Sequence, residues 1–271
     1  MEKVDLHLHT TTSDGSLTPK ELVSAAKEKN LAAIAITDHD SISGITEALE
    51  EGKKLGVEVI PGIELTAYYQ KERIDILGYY IDLDNEVLLQ VLEKLQMSRN
   101  SRAKKMIKKL ANLGVEVDYG QLQQLAGEEG VGRPHLAQLL VDEGYVTTKQ
   151  EAFDYYLADG GPAYVDKYRL QPEEAIELIT GAGGVAVLAH PGVISDVEIV
   201  EELVQLPDLV GIEAYYPQHS PEQLSYYLRL ASKENLIITG GSDCHGPTAD
   251  GELLLGTMDI SVELLSPLQC I

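Results

Sequence analysis

The chain has 271 residues, 44% of them apolar, enough to bury a sizeable core in one large domain or two small ones. Its 44 acidic against 21 basic side chains leave a net charge of −23, which excludes a protein that holds long nucleic acid through its overall field. Two cysteines, Cys244 and Cys270, are too few for a disulfide framework and lack the paired spacing of a zinc ribbon or redox motif.

No basic-then-apolar leader precedes Val4, and no apolar run approaches the roughly 20 residues that span a bilayer, so a cytoplasmic protein without membrane contact is expected. From Val4 to His9 the residues alternate, with Val4, Leu6 and Leu8 facing one way and Asp5, His7 and His9 the other, the period of a strand. Thr18, Pro19 and Glu21 supply an N-cap, a proline at the first helical position and a capping-box partner, which predicts a helix to about Asn30. Apolar segments at Ala32 to Thr37, Val57 to Glu64, Ile74 to Tyr80, Val185 to His190, Leu209 to Ala214 and Leu236 to Gly241 predict further strands. Pro172 with Glu173 and Glu174, and Ser220 with Pro221 and Gln223, mark helix starts; Gly56 and Gly181 mark ends.

Most of these strands precede a helical pattern, which favours an α/β fold with a parallel sheet closed into a barrel over an open doubly wound sheet. Between about residues 85 and 164 the strand signal lapses, and helical patterning takes over with breaks at Gly114, Gly132 to Pro134, Gly144 and Gly160 to Pro162. The expected organisation is a barrel over 1–84 and 165–271, with a helical insertion over 85–164 that caps the substrate.

Chemistry-bearing residues collect at the ends of these strands. Asp5-Leu6-His7-Leu8-His9 puts two imidazoles on one strand face, able to grip one ion. Asp14 follows in the next loop. Thr37-Asp38-His39-Asp40 closes the second strand, Glu64 the third after Pro61-Gly62, His190 the fifth within Ala189-His190-Pro191-Gly192, and Ser242-Asp243-Cys244-His245 follows the last. Any one of these could be a helix cap or a hydrogen-bonded structural histidine. Five of the seven histidines share this placement, however, which points to a metal cluster at the end of a barrel where active sites form. Bound divalent ions would turn an acidic cleft into an anion site.

This ordered set resembles the polymerase and histidinol phosphatase (PHP) family: His-x-His, Thr-Asp-His, Pro-Gly-x-Glu, Ala-His-Pro and Ser-Asp-x-His, spread from His7 to His245. The resemblance implies a distorted seven-stranded barrel with two or three divalent ions. Carried over by position, one ion takes His7, His9, Glu64 and Asp243; a second takes Glu64, Asp75 and His190; a third takes Asp14, His39 and His245. Catalytic roles then fall to His7, His9, Glu64, His190 and His219. Asp75 departs from the pattern, since many relatives have histidine there. Imidazole and carboxylate donors without thiolate suit manganese, iron or zinc, and the added oxygens favour manganese.

In the insertion, Gly132-Arg133-Pro134-His135 places a guanidinium and an imidazole at a helix start, where backbone N–H groups add to an anion site. Together with Tyr215-Tyr216-Pro217-Gln218-His219-Ser220-Pro221, this motif resembles the family branch of 3',5'-nucleotide bisphosphate phosphatases and 5'-3' exoribonucleases. The resemblance implies substrate contacts at Arg133, His135 and His219, with Lys167 a further candidate. Arg99, Arg102, Lys104, Lys105, Lys108 and Lys109 form a basic stretch that reads first as a solvated helical face and second as a rest for RNA.

The expected activity is metal-dependent phosphoester hydrolysis of a nucleotide or short RNA, with His219 or His135 as proton donor to the leaving oxygen and no stable protein partner. Three other readings stand beside it: a small-metabolite phosphatase of the histidinol phosphatase type, a metal-dependent amidohydrolase, and a non-catalytic metal-binding module. The fourth strand holds no lysine for carbamylation, which weighs against the amidohydrolase.

Overall fold

The computed structural model describes residues 2–126, 131–166 and 168–269. It divides into two compact units, Met1–Leu89 with Arg169–Ile271, and Gln90–Tyr168. The first unit is built on a seven-stranded, mostly parallel sheet in sequential order: β1 (Lys3–Asp5), β2 (Leu31–Ile36), β3 (Glu58–Tyr69), β4 (Glu72–Tyr79), β5 (Val185–Leu188), β6 (Leu209–Tyr215) and β7 (Ile237–Gly240). Helices α1 (Pro19–Glu28) and α2 (Ile45–Leu55) alternate with the early strands. Next come α3 (Glu86–Asn112), α4 (Tyr119–Ala126), α5 (Arg133–Asp142) and α6 (Lys149–Ala152), and after them α7 (Pro172–Gly181), α8 (Val197–Leu203), α9 (Pro221–Glu234) and α10 (Leu265–Gln269).

Local chemistry explains the helix ends. Thr18 Oγ1 accepts from the Glu21 amide while Glu21 returns a bond from the Thr18 amide at 2.9 Å, and α1 buries Leu22, Val23 and Ala26. Gly56 ends α2 in the left-handed region at φ 69°, which glycine enters without steric cost. Pro172 and Pro221 open α7 and α9.

Two expectations need correction. β3 runs on past Glu64 to Tyr69: it pairs parallel with β2 up to Pro61, then antiparallel with β4 from Gly62 onward. A two-residue turn at Gln70 and Lys71, both with positive φ, joins β3 to β4, so β4 runs against both of its neighbours and no helix separates it from β3. The first strand is also shorter than its alternation, ending at Asp5, and residues 4–9 are buried on both faces.

Beyond β1 the chain still reaches the last strand. The Leu6 amide donates to Gly240 O at 3.2 Å, the His9 amide donates to Cys244 O at 3.1 Å, and Leu8 bridges Cys244 in parallel. These bonds link the segment that follows β1 to the end of β7 and the residues just beyond it. Asp5 reinforces the seam by accepting from the Ser242 and Gly256 amides, each at 2.8 Å. One apolar cluster takes Val4, Leu6, Ala33, Ala35, Ile60, Leu77 and Val187 from successive strands.

The second unit is helical and has its own core, including Met106, Leu110, Leu122, Leu136, Leu140 and Leu157. After α6 the chain widens into a π-helical turn over Phe153–Leu157. Among the described residues, no helix is long and apolar enough to cross a membrane.

Candidate metal centre

All nine candidate ligands lie in the sheet unit and fall into overlapping groups whose donor atoms are within 4.8 Å of one another: His7, His9 and Asp243; His7, Glu64 and His190; His9, Asp14, His39 and His245; His39, Glu64 and Asp75. Glu64 is the hub. Its Oε2 lies 3.4 Å from His7 Nε2, 3.3 Å from His9 Nε2 and 2.9 Å from His39 Nδ1, and its Oε1 is 3.1 Å from His190 Nε2. Asp243 Oδ1 approaches His9 Nε2 to 3.0 Å, and Asp14 Oδ1 approaches His245 Nε2 to 3.2 Å. The third cluster therefore includes His9, which positional carry-over had left out of it.

These donors fit divalent cations. His7 Nε2, His9 Nε2, His39 Nδ1, Glu64 Oε2 and His190 Nδ1 are buried yet make no hydrogen bond. Leaving such groups unsatisfied costs about 1–3 kcal/mol each unless something else binds them. Charge points the same way. Burial opposes a proton on His7, but Glu213 and Glu64 outweigh it and draw the imidazole toward its charged form. Burial alone would raise Asp243; the imidazoles of His9 and His7 reverse this and hold it well below the usual carboxylate range. Asp14 is held low in the same way by His245, His39 and His9. The centre asks for positive charge that its own residues supply poorly, and a cation bound by imidazole nitrogen and carboxylate oxygen answers that demand.

Four supporting residues had no role assigned from the sequence. Glu213, wholly buried on β6, receives His7 Nδ1 at 3.0 Å and the His190 amide at 2.8 Å, which turns His7 Nε2 toward the hub. Tyr216 donates to Asp243 Oδ2 at 3.0 Å. Asp38 accepts from the Thr10 amide at 2.6 Å and from the hydroxyls of Thr10, Thr12 and Ser13, and so shapes the loop that carries Asp14. Arg73, two residues before Asp75 on β4, holds that carboxylate at 2.8 Å and lies 3.3 Å from His39 Nε2. An acid at a strand end and a base two residues from a ligand were the available signals.

Backbone strain concentrates here. His190 sits at φ 22° and Asp243 at φ 51°, conformations that cost non-glycine residues about 1–3 kcal/mol and that tend to occur at functional sites. Gly241 is needed for a different reason: a Cβ there would lie 2.3 Å from His7 Cβ, so only glycine lets β7 approach the ligand-bearing segment.

The remaining candidates lie elsewhere. His219 Nδ1 pairs with Ala214 O at 2.8 Å and its Nε2 accepts from the Gly192 amide at 3.0 Å, while burial lowers its pKa. Both ring nitrogens are thus occupied in a neutral tautomer, and the ring lies 5.1 Å from that of Tyr216. Arg133 and His135 open α5 in the helical unit. Arg133 Nη1 binds Asp159 at 2.6 Å and Leu157 O at 3.2 Å, and His135 Nδ1 accepts from the Gly132 amide at 3.2 Å. Lys167 lies outside the described residues. On the basic face of α3, Arg102 and Lys109 donate to the carbonyls of Val165 and Tyr164, and Lys104 rests over the Tyr119 ring.

Comparison with known proteins agrees with this geometry. The PHP domain model matches residues 5–120. A 3',5'-nucleoside bisphosphate phosphatase of Chromobacterium violaceum is 32% identical over 96% of this chain and 93% of its own length. The 5'-3' exoribonuclease Rnm of Escherichia coli is 35% identical over 90% of this chain and 85% of its own. A solved structure from Bifidobacterium adolescentis, described as a metal-dependent phosphoesterase, superposes with a TM-score of 0.83 at 29% identity over 99% of this chain and 96% of that one. With the motif order, the seven-stranded sheet and the donor clusters in hand, the chain belongs to the PHP family of metal-dependent phosphoesterases.

Proposed function

We propose that this chain hydrolyses the 3'-phosphate ester of 3',5'-nucleoside bisphosphates, with 5'-phosphorylated short RNA as a second substrate. The observation that carries the phosphoesterase chemistry is the convergence of unsatisfied buried donors on Glu64. The substrate class is supported by similarity over nearly the whole chain to a phosphatase and an exoribonuclease that act on such compounds. A cytoplasmic setting goes with nucleotide substrates and a chain whose two cysteines build no disulfide framework.

His7, His9, Glu64 and Asp243 would hold one ion, Asp14, His39 and His245 with His9 another, and the His190 side of Glu64 borders a further position. When bound, divalent ions supply the charge that lowers the pKa of water and neutralises phosphoryl oxygens. Manganese is favoured by the mixture of oxygen and nitrogen donors, and iron and zinc also fit it. Glu213 keeps His7 in one tautomer, and Tyr216 occupies Asp243 Oδ2, leaving Oδ1 to face the histidines. No side-chain nucleophile is needed. Arg133 and His135 are proposed to recognise a second phosphate, which requires that phosphate to compete with Asp159 for the guanidinium.

The test is to measure the metal content of protein purified without chelator, then to assay adenosine 3',5'-bisphosphate, a 5'-phosphorylated oligoribonucleotide and histidinol phosphate with Mn2+. Phosphate release from the bisphosphate is expected to be fastest. Faster turnover of histidinol phosphate would replace this substrate assignment with the small-metabolite reading. A manganese-loaded protein inert toward all three would overturn the phosphoesterase itself and return the amidohydrolase.

A further inference from the structure

The donor groups around Glu64 are not alike. All four contain buried imidazole or carboxylate atoms without a hydrogen bond. The group made by His39, Glu64 and Asp75 also contains a carboxylate whose needs are already met. Arg73 Nε lies 2.8 Å from Asp75 Oδ2 and 3.1 Å from Oδ1, and neither oxygen is among the unsatisfied buried atoms. The same guanidinium extends Nη2 to within 3.3 Å of His39 Nε2, leaving Nδ1, 2.9 Å from Glu64 Oε2, as the unsatisfied nitrogen of that ring.

Strand geometry makes this pairing firm. Residues two apart on β4 project from the same face, so Arg73 and Asp75 meet without any turn or loop to adjust. The side chain of Asp75 is 4% exposed and that of Arg73 51% exposed, so a buried anion is closed off by a cation whose stem reaches solvent. Guanidinium is a permanent charge with a planar fork suited to carboxylate, and it cannot be removed by deprotonation in the accessible pH range. A metal ion bound through Asp75 would have to displace it.

We infer that Arg73 is a built-in cation of this centre: its guanidinium stands at Asp75 in the role of a metal ion, so Asp75 ligates none and the chain binds two ions where its donor groups offer room for three. The inference rests on the metal-centre assignment and deepens it, because it fixes how many ions the site takes and names the residue that limits them.

Metal counting tests this independently of turnover. The wild-type chain and the variants R73A, R73K, D75N and D243N are saturated with Mn2+, passed over a desalting column and analysed by inductively coupled plasma mass spectrometry, with calorimetric titration of each. Two ions per chain are expected for the wild type, for R73K, which retains a cation, and for D75N, which removes only Arg73's partner. R73A is expected to gain a third ion, bound at least tenfold more tightly than any third ion in the wild type. D243N is expected to lose one. Loss of an ion in D75N, or identical titrations for R73A and wild type, would overturn the role of Arg73 while leaving the metal centre standing. A wild-type chain that binds no ion would overturn both. D75N reports on the question even if R73A does not fold.

Discussion

The sheet unit and the helical unit both carry polar motifs that stand out in the sequence, but the two treat their polar atoms in opposite ways. In the sheet unit His7, His9 and Glu64 are almost wholly buried and still present nitrogen and oxygen atoms with no hydrogen-bond partner. In the helical unit Arg133 is bound to Asp159 and to the last carbonyl of the π-helical turn, and Arg102 and Lys109 are tied to backbone carbonyls. Buried polar atoms without partners are costly, so a fold retains them where a ligand will complete them. A motif whose donors are already satisfied first serves the fold, and serves a substrate only by exchanging partners.

The strongest way to break this contrast is to remove the hub. Glu64→Ala is expected to cut turnover by about 10³-fold or more, beyond the ~10²–10³ lost with one transition-state hydrogen-bond donor. A near-normal steady-state rate in this variant with Mn2+ present would sink the cluster assignment. One step out, Glu213→Gln should weaken metal affinity by about 10–100-fold, the usual effect of losing a carboxylate behind a ligating histidine, and a titration of the apo-protein would measure it. In the helical unit, Arg133→Ala should raise KM for the bisphosphate by roughly tenfold, in keeping with about 1.5–3 kcal/mol for a hydrogen bond to a charged group, and leave metal content unchanged. Equal KM values would remove Arg133 from substrate recognition. The smallest effect belongs to a residue outside both sites: Thr18→Ala should cost about 1 kcal/mol through its cap, lowering Tm by roughly 2 °C with kcat unaltered.

How far the sequence carried can be judged from particular residues. The nine ligand candidates come together because each sits in a short motif whose local spacing is independent of the rest of the chain. Glu64 was placed at a strand end, whereas β3 continues through it, and the turn at Gln70 and Lys71 lacks the glycine or asparagine that normally announces a hairpin. That missing signal also hid the reversal of β4. Glu213 lay unremarked in an apolar strand, and Tyr216 was quoted in a motif without a role, because their importance comes from partners far along the chain, 206 residues away for His7 and 27 for Asp243. His219 was legible as a special residue but not as a locked one, since its two partners are backbone groups that no motif specifies.

The seam between residues 5–9 and 240–245 has a consequence for how the protein matures. Asp5 grips the Ser242 amide, Leu6 and His9 bond to Gly240 and Cys244, and Asp243 and His245 face histidines contributed by the first strand and its neighbour. During synthesis the early ligands leave the ribosome long before their partners exist, and contacts of such long range form late. The emerging chain therefore cannot complete its ion sites until the final strand has docked. Metal capture becomes a signature of finished folding, and a ribosome-stalled chain ending before residue 236 would lack it.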